Sequence, residues 1–278
     1  MELHLGFSPC PNDTFIFDAM LHGKIDTEGI TFIPVIEDVE TLNQKALQQE
    51  LAITKLSYHA FAHLVDKYIL LDAGSALGFG VGPLLISKNK IENIEDKIAN
   101  LKIGIPGKLT TANFLLNIAF PQAQQKVEMV FSEIENALIN EEIDLGLIIH
   151  ENRFTYAAKD LHKVIDLGSF WEQKTGSAIP LGGIVMSRKY DKETINKVNR
   201  IMARSVEFAM KNPLSSAAFV KQHAQEMEES VVVKHIQLYV NKYSLNLGVE
   251  GRKAVSTLLD SAVAQGLILP FTYPIFID

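Results

Sequence analysis

One of the eight histidines, His150, lies where a predicted strand ends and a polar loop begins. Residues 143–149 are mostly apolar, and charged, polar and aromatic residues follow His150. A short apolar run bounded by polar residues is typical of a buried strand in an α/β sheet, and ligands bind beyond the carboxyl ends of such strands. Because imidazole exchanges protons near neutral pH, His150 is a candidate for proton transfer. The alternative is an ordinary surface histidine.

Polar side chains also follow the predicted strand Leu51–Thr54. Lys55 supplies a cation and Ser57 a hydroxyl, with Leu56 between them. We predict that these three residues contact a ligand, although Ser57 could instead cap the helix that follows. Asn43, on the preceding predicted helix, is a further candidate whose amide faces either solvent or the ligand.

Two threonines, Thr110 and Thr111, follow the glycine turn after the predicted strand Leu101–Ile105. The N–H groups, hydroxyls and dipole of such a helix N-terminus suit a carboxylate. The stretch is not a phosphate loop, because Lys108 precedes Leu109 where that motif requires serine or threonine. Plain capping of the helix by threonine is the alternative.

The first loop, Ser8–Phe15, contains the only cysteine, Cys10. Prolines on both sides of it exclude a helix before Asn12, so Asn12 or Asp13 is expected to cap the next helix. A thiol near a helix N-terminus would suit a nucleophile, and a small buried thiol is the alternative. Whether Asp13, Arg153 or Tyr156 also moves protons is left open by the sequence.

No metal or cofactor motif is complete in the sequence. His59 and His63 have the spacing of metal ligands, but the glutamate of a zinc protease motif is missing between them. The glycines of 74–83 do not open a helix, as a dinucleotide loop must. One cysteine also rules out a cysteine-rich zinc site and an intrachain disulfide. None of these segments therefore predicts a metal or cofactor site.

The composition of the 278 residues, 47% hydrophobic and 21% charged, is typical of a globular protein. A net charge of −7 argues against sequence-independent binding to nucleic acid, which needs a basic face. No apolar run reaches the roughly 18 residues of a membrane span, and the first residues lack the pattern of a signal peptide. We expect a cytoplasmic protein with neither a nucleic-acid nor a membrane partner, and the oligomeric state is not indicated.

The order of the predicted elements is typical of two α/β lobes. Strand–helix units come first, a second set occupies the middle of the chain, and helices follow. The apolar runs Pro83–Ser87 and Gly182–Ser187 bracket the middle set. We predict lobe one from residues 1–86 and 188–278, lobe two from residues 87–187, and a ligand cleft between the lobes.

Five segments resemble the 1,4-dihydroxy-6-naphthoate synthase family. They are SPCPNDTF at Ser8–Phe15, EDVETLN at Glu37–Asn43, TKLSY at Thr54–Tyr58, GVGPLL at Gly80–Leu85 and IIHENRFTY at Ile148–Tyr156. The resemblance extends to the apolar run that ends at Ser187, and the C-terminal helices carry no segment that we can match. It implies a type II periplasmic-binding-protein-like α/β fold, with two lobes that close over the substrate.

The same resemblance implies a lyase of menaquinone biosynthesis by the futalosine route. Its substrate would be cyclic dehypoxanthine futalosine and its product 1,4-dihydroxy-6-naphthoate, a small carboxylate. Neither a metal nor an organic cofactor would take part. His150 matches the family's proton-accepting histidine, while Lys55–Ser57 and the pair Thr110 and Thr111 match its substrate-contacting segments.

Two alternative functions share this fold. One is a non-enzymatic binding protein for small carboxylates, against which the missing signal-peptide pattern weighs. Fold alone does not decide, because one scaffold hosts many functions. The other is chorismate dehydratase of the same pathway, over which the segments Ser8–Phe15 and Ile148–Tyr156 favour the naphthoate synthase.

Overall fold

The computed structural model describes residues 1–224 and 228–277, which divide into two compact units. The first unit comprises Met1–Gly78 and Pro180–Asp278, and the second comprises Phe79–Ile179. Both divisions fall earlier in the chain than the predicted ones after residues 86 and 187. The reason lies in strand pairing, because Leu84–Ser87 pairs within the second unit's sheet, whereas Gly182–Ser187 pairs within the first unit's sheet.

The described residues contain eleven strands, most of them short. In chain order they are β1 (Glu2–Phe7), β2 (Thr31–Ile36), β3 (Ile53–Ser57), β4 (Tyr68–Leu70), β5 (Ala76–Gly78), β6 (Leu84–Ser87), β7 (Ile103–Ile105), β8 (Lys126–Glu128), β9 (Leu145–Ile148), β10 (His162–Asp166) and β11 (Ile179–Ser187).

The α-helices range from single turns to the long helix α9. In chain order they are α1 (Pro11–Leu21), α2 (Val39–Leu47), α3 (Tyr58–Ala62), α4 (Ile94–Lys97), α5 (Thr111–Ala119), α6 (Ile134–Ile139), α7 (Asn152–Thr155), α8 (Leu167–Thr175), α9 (Lys192–Lys211), α10 (Ala217–His223), α11 (Glu229–Tyr239), α12 (Lys242–Leu245) and α13 (Gly248–Ala264). Short 3₁₀ turns occupy Ile98–Asn100, Phe131–Glu133 and Tyr156–Lys159. Within the described ranges, no helix has the length and hydropathy needed to cross a bilayer.

The first unit is built on a sheet with strand order β2-β1-β3-β11-β4, to which β5 adds beside β11. β1 is parallel to both β2 and β3, whereas β11 is antiparallel to β3 and β4. Because β1, β2 and β3 run in the same direction, their carboxyl ends meet at one edge of the sheet. The helices α1, α2 and α3 each begin just beyond that edge.

The long helix α9 buries one apolar face in the core of the first unit. Asp191 caps its start by accepting a hydrogen bond from the Thr194 N–H at 2.7 Å. Its core residues recur every three or four positions, which is the spacing of one helix face. They are Ile195, Val198, Ile201, Met202, Val206 and Ala209, and they pack with β1 and α1.

The second unit is built on a sheet with strand order β10-β6-β9-β7-β8. β7 is parallel to both β8 and β9, so the carboxyl ends of these three strands also share an edge. A smaller core, which includes Leu84, Ile134, Leu138 and Ile148, joins the sheet to α6. Glycine at Gly146 is required by close packing here, because a Cβ would lie 2.6 Å from the Ile134 side chain.

The structure differs from the sequence predictions at several element ends. Lys55–Ser57 belongs to β3 itself instead of a loop after it. The first helix begins at Pro11 with Cys10 as its N-cap, not with Asn12 or Asp13, because proline fits the first helical position.

Tyr68 is expected to make stability fall at alkaline pH. Its hydroxyl donates to the Leu51 carbonyl oxygen at 3.0 Å, and burial raises the pKa of its phenol to about 12. An unfolded tyrosine titrates near pH 10, so the unfolded chain loses this proton first. The stability that Tyr68 contributes is therefore fully present below about pH 10 and is lost as the pH rises toward about 12.

We expect Tyr68→Phe to lose stability less steeply than the wild type between about pH 10 and 12. Denaturant titrations at a series of pH values measure this slope. Tyr273→Phe is the matched control, because Tyr273 is exposed and its removal should leave the slope unchanged. Equal slopes for Tyr68→Phe and the wild type would contradict the assignment.

Candidate functional site

The carboxyl edge of the first unit's sheet carries a buried carboxylate, Asp13. It lies in the first turn of α1 and is fully buried. One of its oxygens, Oδ2, accepts from the Ser8 N–H at 3.1 Å and from the Ser8 hydroxyl at 2.7 Å. The other, Oδ1, accepts from the Asn12 amide at 2.9 Å and from the Lys55 ammonium. The loop after β1 and the end of β3 therefore meet at this carboxylate.

Lys55 is itself almost fully buried, since only 8% of its side chain is exposed. An ammonium and a carboxylate lose much hydration when they are buried, and the pair is tolerated only when other hydrogen bonds support it. Ser8 and Asn12 give that support to Asp13. Gly182 of β11 leaves room for the lysine, because a Cβ there would lie 3.0 Å from the Lys55 Cε. The Lys55 ammonium is thus held in one place at the carboxyl end of β3.

Asn43 and Ser57 form a second polar pair at the same edge. The Ser57 N–H donates to the Asn43 Oδ1 at 3.1 Å, and the Asn43 Nδ2 donates to the Ser57 hydroxyl at 3.3 Å. Asn43 is fully buried, so its amide faces the protein instead of solvent. The Ser57 hydroxyl makes no capping hydrogen bond to α3. Leu56 is buried between the two polar residues and pairs with Gly183 of β11.

In the second unit, His150 lies in the turn between β9 and α7. Its φ is +56°, a left-handed conformation that costs a residue with a Cβ about 1–2 kcal/mol. The imidazole packs edge-on against Phe131, with ring centroids 4.9 Å apart. Both residues follow parallel strands of the sheet, so the ring lies at the carboxyl edge as predicted. Strained backbone of this kind is found most often at functional sites.

Arg153 anchors the turn that carries His150. Its guanidinium donates to the Gly82 carbonyl oxygen and, at 2.9 Å, to the Asp166 carboxylate. Asp166 in turn caps α8 by accepting from the N–H groups of Gly168 and Ser169 at 2.9 and 3.1 Å. Arg153, whose role was open from the sequence, thus holds the His150 turn against two neighbouring segments of the second unit.

The start of α5 carries the two predicted threonines. Thr110 is the N-cap, since its hydroxyl accepts from the Asn113 N–H at 3.2 Å and donates to the Gly107 carbonyl oxygen at 2.8 Å. Capping therefore occupies the Thr110 hydroxyl. Thr111 is the first residue of the helix, where N–H groups have no acceptor within the helix and can bind an anion.

The structure locates Cys10 and Tyr156, whose roles the sequence left open. Cys10 is the N-cap of α1 and is 4% exposed, which fits the buried-thiol alternative. Tyr156 begins a 3₁₀ turn and packs against the core of the second unit.

Sequence reasoning missed Ser8 and Asn12 as partners of Asp13. It also missed His235, whose imidazole Nε2 lies 2.9 Å from the Asn12 Oδ1. The dense polar content of Ser8–Asp13 was a usable signal, but nothing in the sequence marks His235.

Comparison with known proteins places the chain in a family. A family model described as menaquinone biosynthesis matches residues 3–264. The chain belongs to the menaquinone biosynthesis family. The family match includes most of the C-terminal helices, where the sequence alone offered no recognisable segment.

Two curated relatives carry the name 1,4-dihydroxy-6-naphtoate synthase. The protein from Thermus thermophilus is 42% identical over 275 residues, which cover 99% of each chain. The protein from Streptomyces coelicolor is 36% identical over 272 residues, covering 96% of this chain and 94% of the relative. The predicted resemblance is thereby confirmed over nearly the full length, and it supports an enzyme of menaquinone biosynthesis that acts on a small molecule.

Solved structures confirm the predicted fold class. A protein from Archaeoglobus fulgidus is similar with a TM-score of 0.90 and 36% identity, covering 96% of this chain and 98% of that one. The periplasmic aliphatic sulphonate binding protein of Escherichia coli gives a TM-score of 0.66 at 11% identity, with 97% and 89% covered. The alkanesulfonate-binding protein of Xanthomonas axonopodis gives 0.69 at 12%, with 99% and 96% covered. The fold is therefore periplasmic-binding-protein-like.

The buried pair of Asp13 and Lys55 predicts a large coupling in stability. We expect Asp13→Leu and Lys55→Met each to lower the free energy of unfolding by about 3–5 kcal/mol, because each leaves one buried charge without its partner. The double variant should lose much less than the sum of the two. Denaturant unfolding of the four proteins measures this cycle.

The matched control is the surface pair of Lys45 and Glu37, whose charged atoms lie 3.2 Å apart on side chains 30% and 40% exposed. Breaking that pair should change the free energy of unfolding by less than about 1 kcal/mol. Strictly additive losses in the Asp13 and Lys55 cycle would show that the two side chains do not support each other.

Proposed function

We propose that the protein is a lyase that converts cyclic dehypoxanthine futalosine to 1,4-dihydroxy-6-naphthoate. The observation that carries this proposal is its similarity, over nearly the whole chain, to two curated relatives named 1,4-dihydroxy-6-naphtoate synthase. The family model for menaquinone biosynthesis supports the same pathway.

His150 is the general base of the proposed reaction. Its imidazole takes a proton from the substrate and so starts ring opening and cleavage of a carbon–carbon bond. The position of the ring at the carboxyl edge supports this role, as does the left-handed turn, which is retained despite its strain. The imidazole packs edge-on against Phe131, and Arg153 anchors the turn that carries it. A general base needs fixed geometry to work efficiently.

The substrate-binding group of the first unit in this proposal consists of Lys55, Leu56, Ser57 and Asn43. An ammonium carries three N–H donors, and the ion pair with Asp13 uses one of them. The other donors of Lys55 suit oxygen atoms of the substrate. The Ser57 hydroxyl, oriented by Asn43, suits a hydroxyl of the cyclised sugar remnant, while the buried Leu56 fixes the backbone between the two.

Thr110 and Thr111 bind the carboxylate of the substrate in this proposal. The positive end of the α5 dipole and the N–H groups of its first turn favour an anion. Since capping occupies the Thr110 hydroxyl, Thr110 contributes by shaping the helix start. Thr111 contributes as the first residue of the helix, where the dipole favours an anion.

The test is incubation of purified, chelator-treated protein with cyclic dehypoxanthine futalosine, followed by mass analysis for dihydroxynaphthoate. We expect product from the native protein. His150→Ala should lower kcat by about 10²–10⁴-fold, the usual contribution of a general base, while substrate binding by calorimetry stays within a few-fold. His150→Asn is a second variant, because asparagine tolerates the left-handed conformation better than alanine does.

His162→Gln is the matched control, since it removes a histidine of the same unit that lies on β10. It should leave kcat unchanged. A folded His150→Ala protein with native turnover would rule out the role of His150. Binding without product in the native protein would instead favour a solute-binding protein, and neither binding nor product would make chorismate the next substrate to try.

A further inference from the structure

His235 connects a C-terminal helix to the polar cluster of the first unit. It lies on α11 and is fully buried, and its Nε2 lies 2.9 Å from the Asn12 Oδ1. The ring also packs against Tyr239 one turn along the helix, with centroids 4.7 Å apart. A histidine on an amphipathic helix would ordinarily only pack, but this one makes a directed hydrogen bond to a residue 223 positions away.

The donors and acceptors fix the direction of this chain of hydrogen bonds. The Asn12 Nδ2 donates to the Asp13 Oδ1 at 2.9 Å, so the Asn12 Oδ1 is the free end of that amide and accepts. The His235 Nε2 must then carry the proton that it donates to Asn12. The sequence of donation runs from His235 through Asn12 to Asp13.

The Asp13 Oδ1 is the point where this chain reaches the substrate-binding group, because the same oxygen also accepts from the Lys55 ammonium. The other oxygen is held by the Ser8 backbone and hydroxyl. If Asn12 turned away, Asp13 would lose one of the donors that define the plane of its carboxylate. Lys55 would then be held less firmly, since the carboxylate that orients it would be fixed by the Ser8 donors alone.

We propose that His235 is a positioning residue for Lys55, acting through Asn12 and Asp13. The proposal rests on the proposed function only in assigning Lys55 to the substrate. α11 packs against α1, so the C-terminal helices of the first unit help to define the substrate-binding end of β3. His235 touches neither Lys55 nor the substrate in this arrangement.

The variants that test the proposal separate the hydrogen bond from packing. His235→Leu removes the donor, whereas His235→Gln places an amide donor near the position of Nε2 and should rescue. His235→Asn is a polar variant too short to reach Asn12, and it replaces His235→Leu if the latter does not fold. Val231→Ala is the matched control, because Val231 is buried on the same helix and only packs.

The first readout needs no turnover. The rate at which a small acylating reagent modifies Lys55 is measured by mass spectrometry of its peptide, with Lys45 as an internal standard. We expect Lys55 to be modified several-fold faster in His235→Leu than in the native protein, because the ammonium is less firmly held. The rate should be native in His235→Gln and Val231→Ala. An unchanged rate in folded His235→Leu would overturn the proposal, whatever the protein's substrate.

The second readout is kinetic. We expect His235→Leu to raise KM about tenfold, equivalent to about 1.4 kcal/mol, with a smaller change in kcat, and His235→Gln to restore KM. In a Lys55→Met background, His235→Leu should add no further increase in KM. An equal increase in both backgrounds, or failure of a folded His235→Gln to rescue, would show a structural role only. Absence of product from the native protein would defeat the proposed function but leave the modification result to decide this inference.

Discussion

The buried ion pair between Asp13 and Lys55 is the constraint on which the first unit's candidate site depends. Two charges are withdrawn from water at the carboxyl edge of the sheet, and such a pair persists only when its remaining hydrogen-bonding capacity is satisfied. Ser8 and Asn12 satisfy it. The first loop, the central strand β3 and helix α11 are thus tied to one carboxylate, and the position of the cation follows from all three.

The second unit holds the imidazole of His150 at the edge of its sheet by different means. The left-handed turn at His150 is held by a ring contact with Phe131 and by the ion pair of Arg153 with Asp166. The candidate residues of the two units differ in kind. The first unit carries a cation with amide and hydroxyl groups, and the second carries an imidazole and a helix N-terminus.

Much of this arrangement could be predicted, because it follows from short-range patterns. Apolar runs that end in polar residues located Lys55 and His150 near the carboxyl ends of strands. The partner of Lys55 could not be predicted, because pairing of Asp13 with β3 depends on strand order. The contact between Asn12 and His235 joins residues too distant in sequence for any local pattern, and the left-handed turn at His150 lacks the glycine or asparagine that usually marks one.

The close approach of Gly82 and Gly168 constrains how this protein can vary. A Cβ on Gly82 would lie 2.2 Å from the Gly168 Cα, and one on Gly168 would lie 2.7 Å from the Gly82 Cα. Neither position can accept a side chain unless backbone moves, so a change at one cannot be compensated by a change at the other. The Gly82 carbonyl oxygen accepts from the Arg153 guanidinium. The Gly168 N–H donates to Asp166, the carboxylate that pairs with Arg153. Any mutational library made to alter substrate choice should therefore keep both glycines fixed, and new diversity is better directed to exposed positions of the same unit.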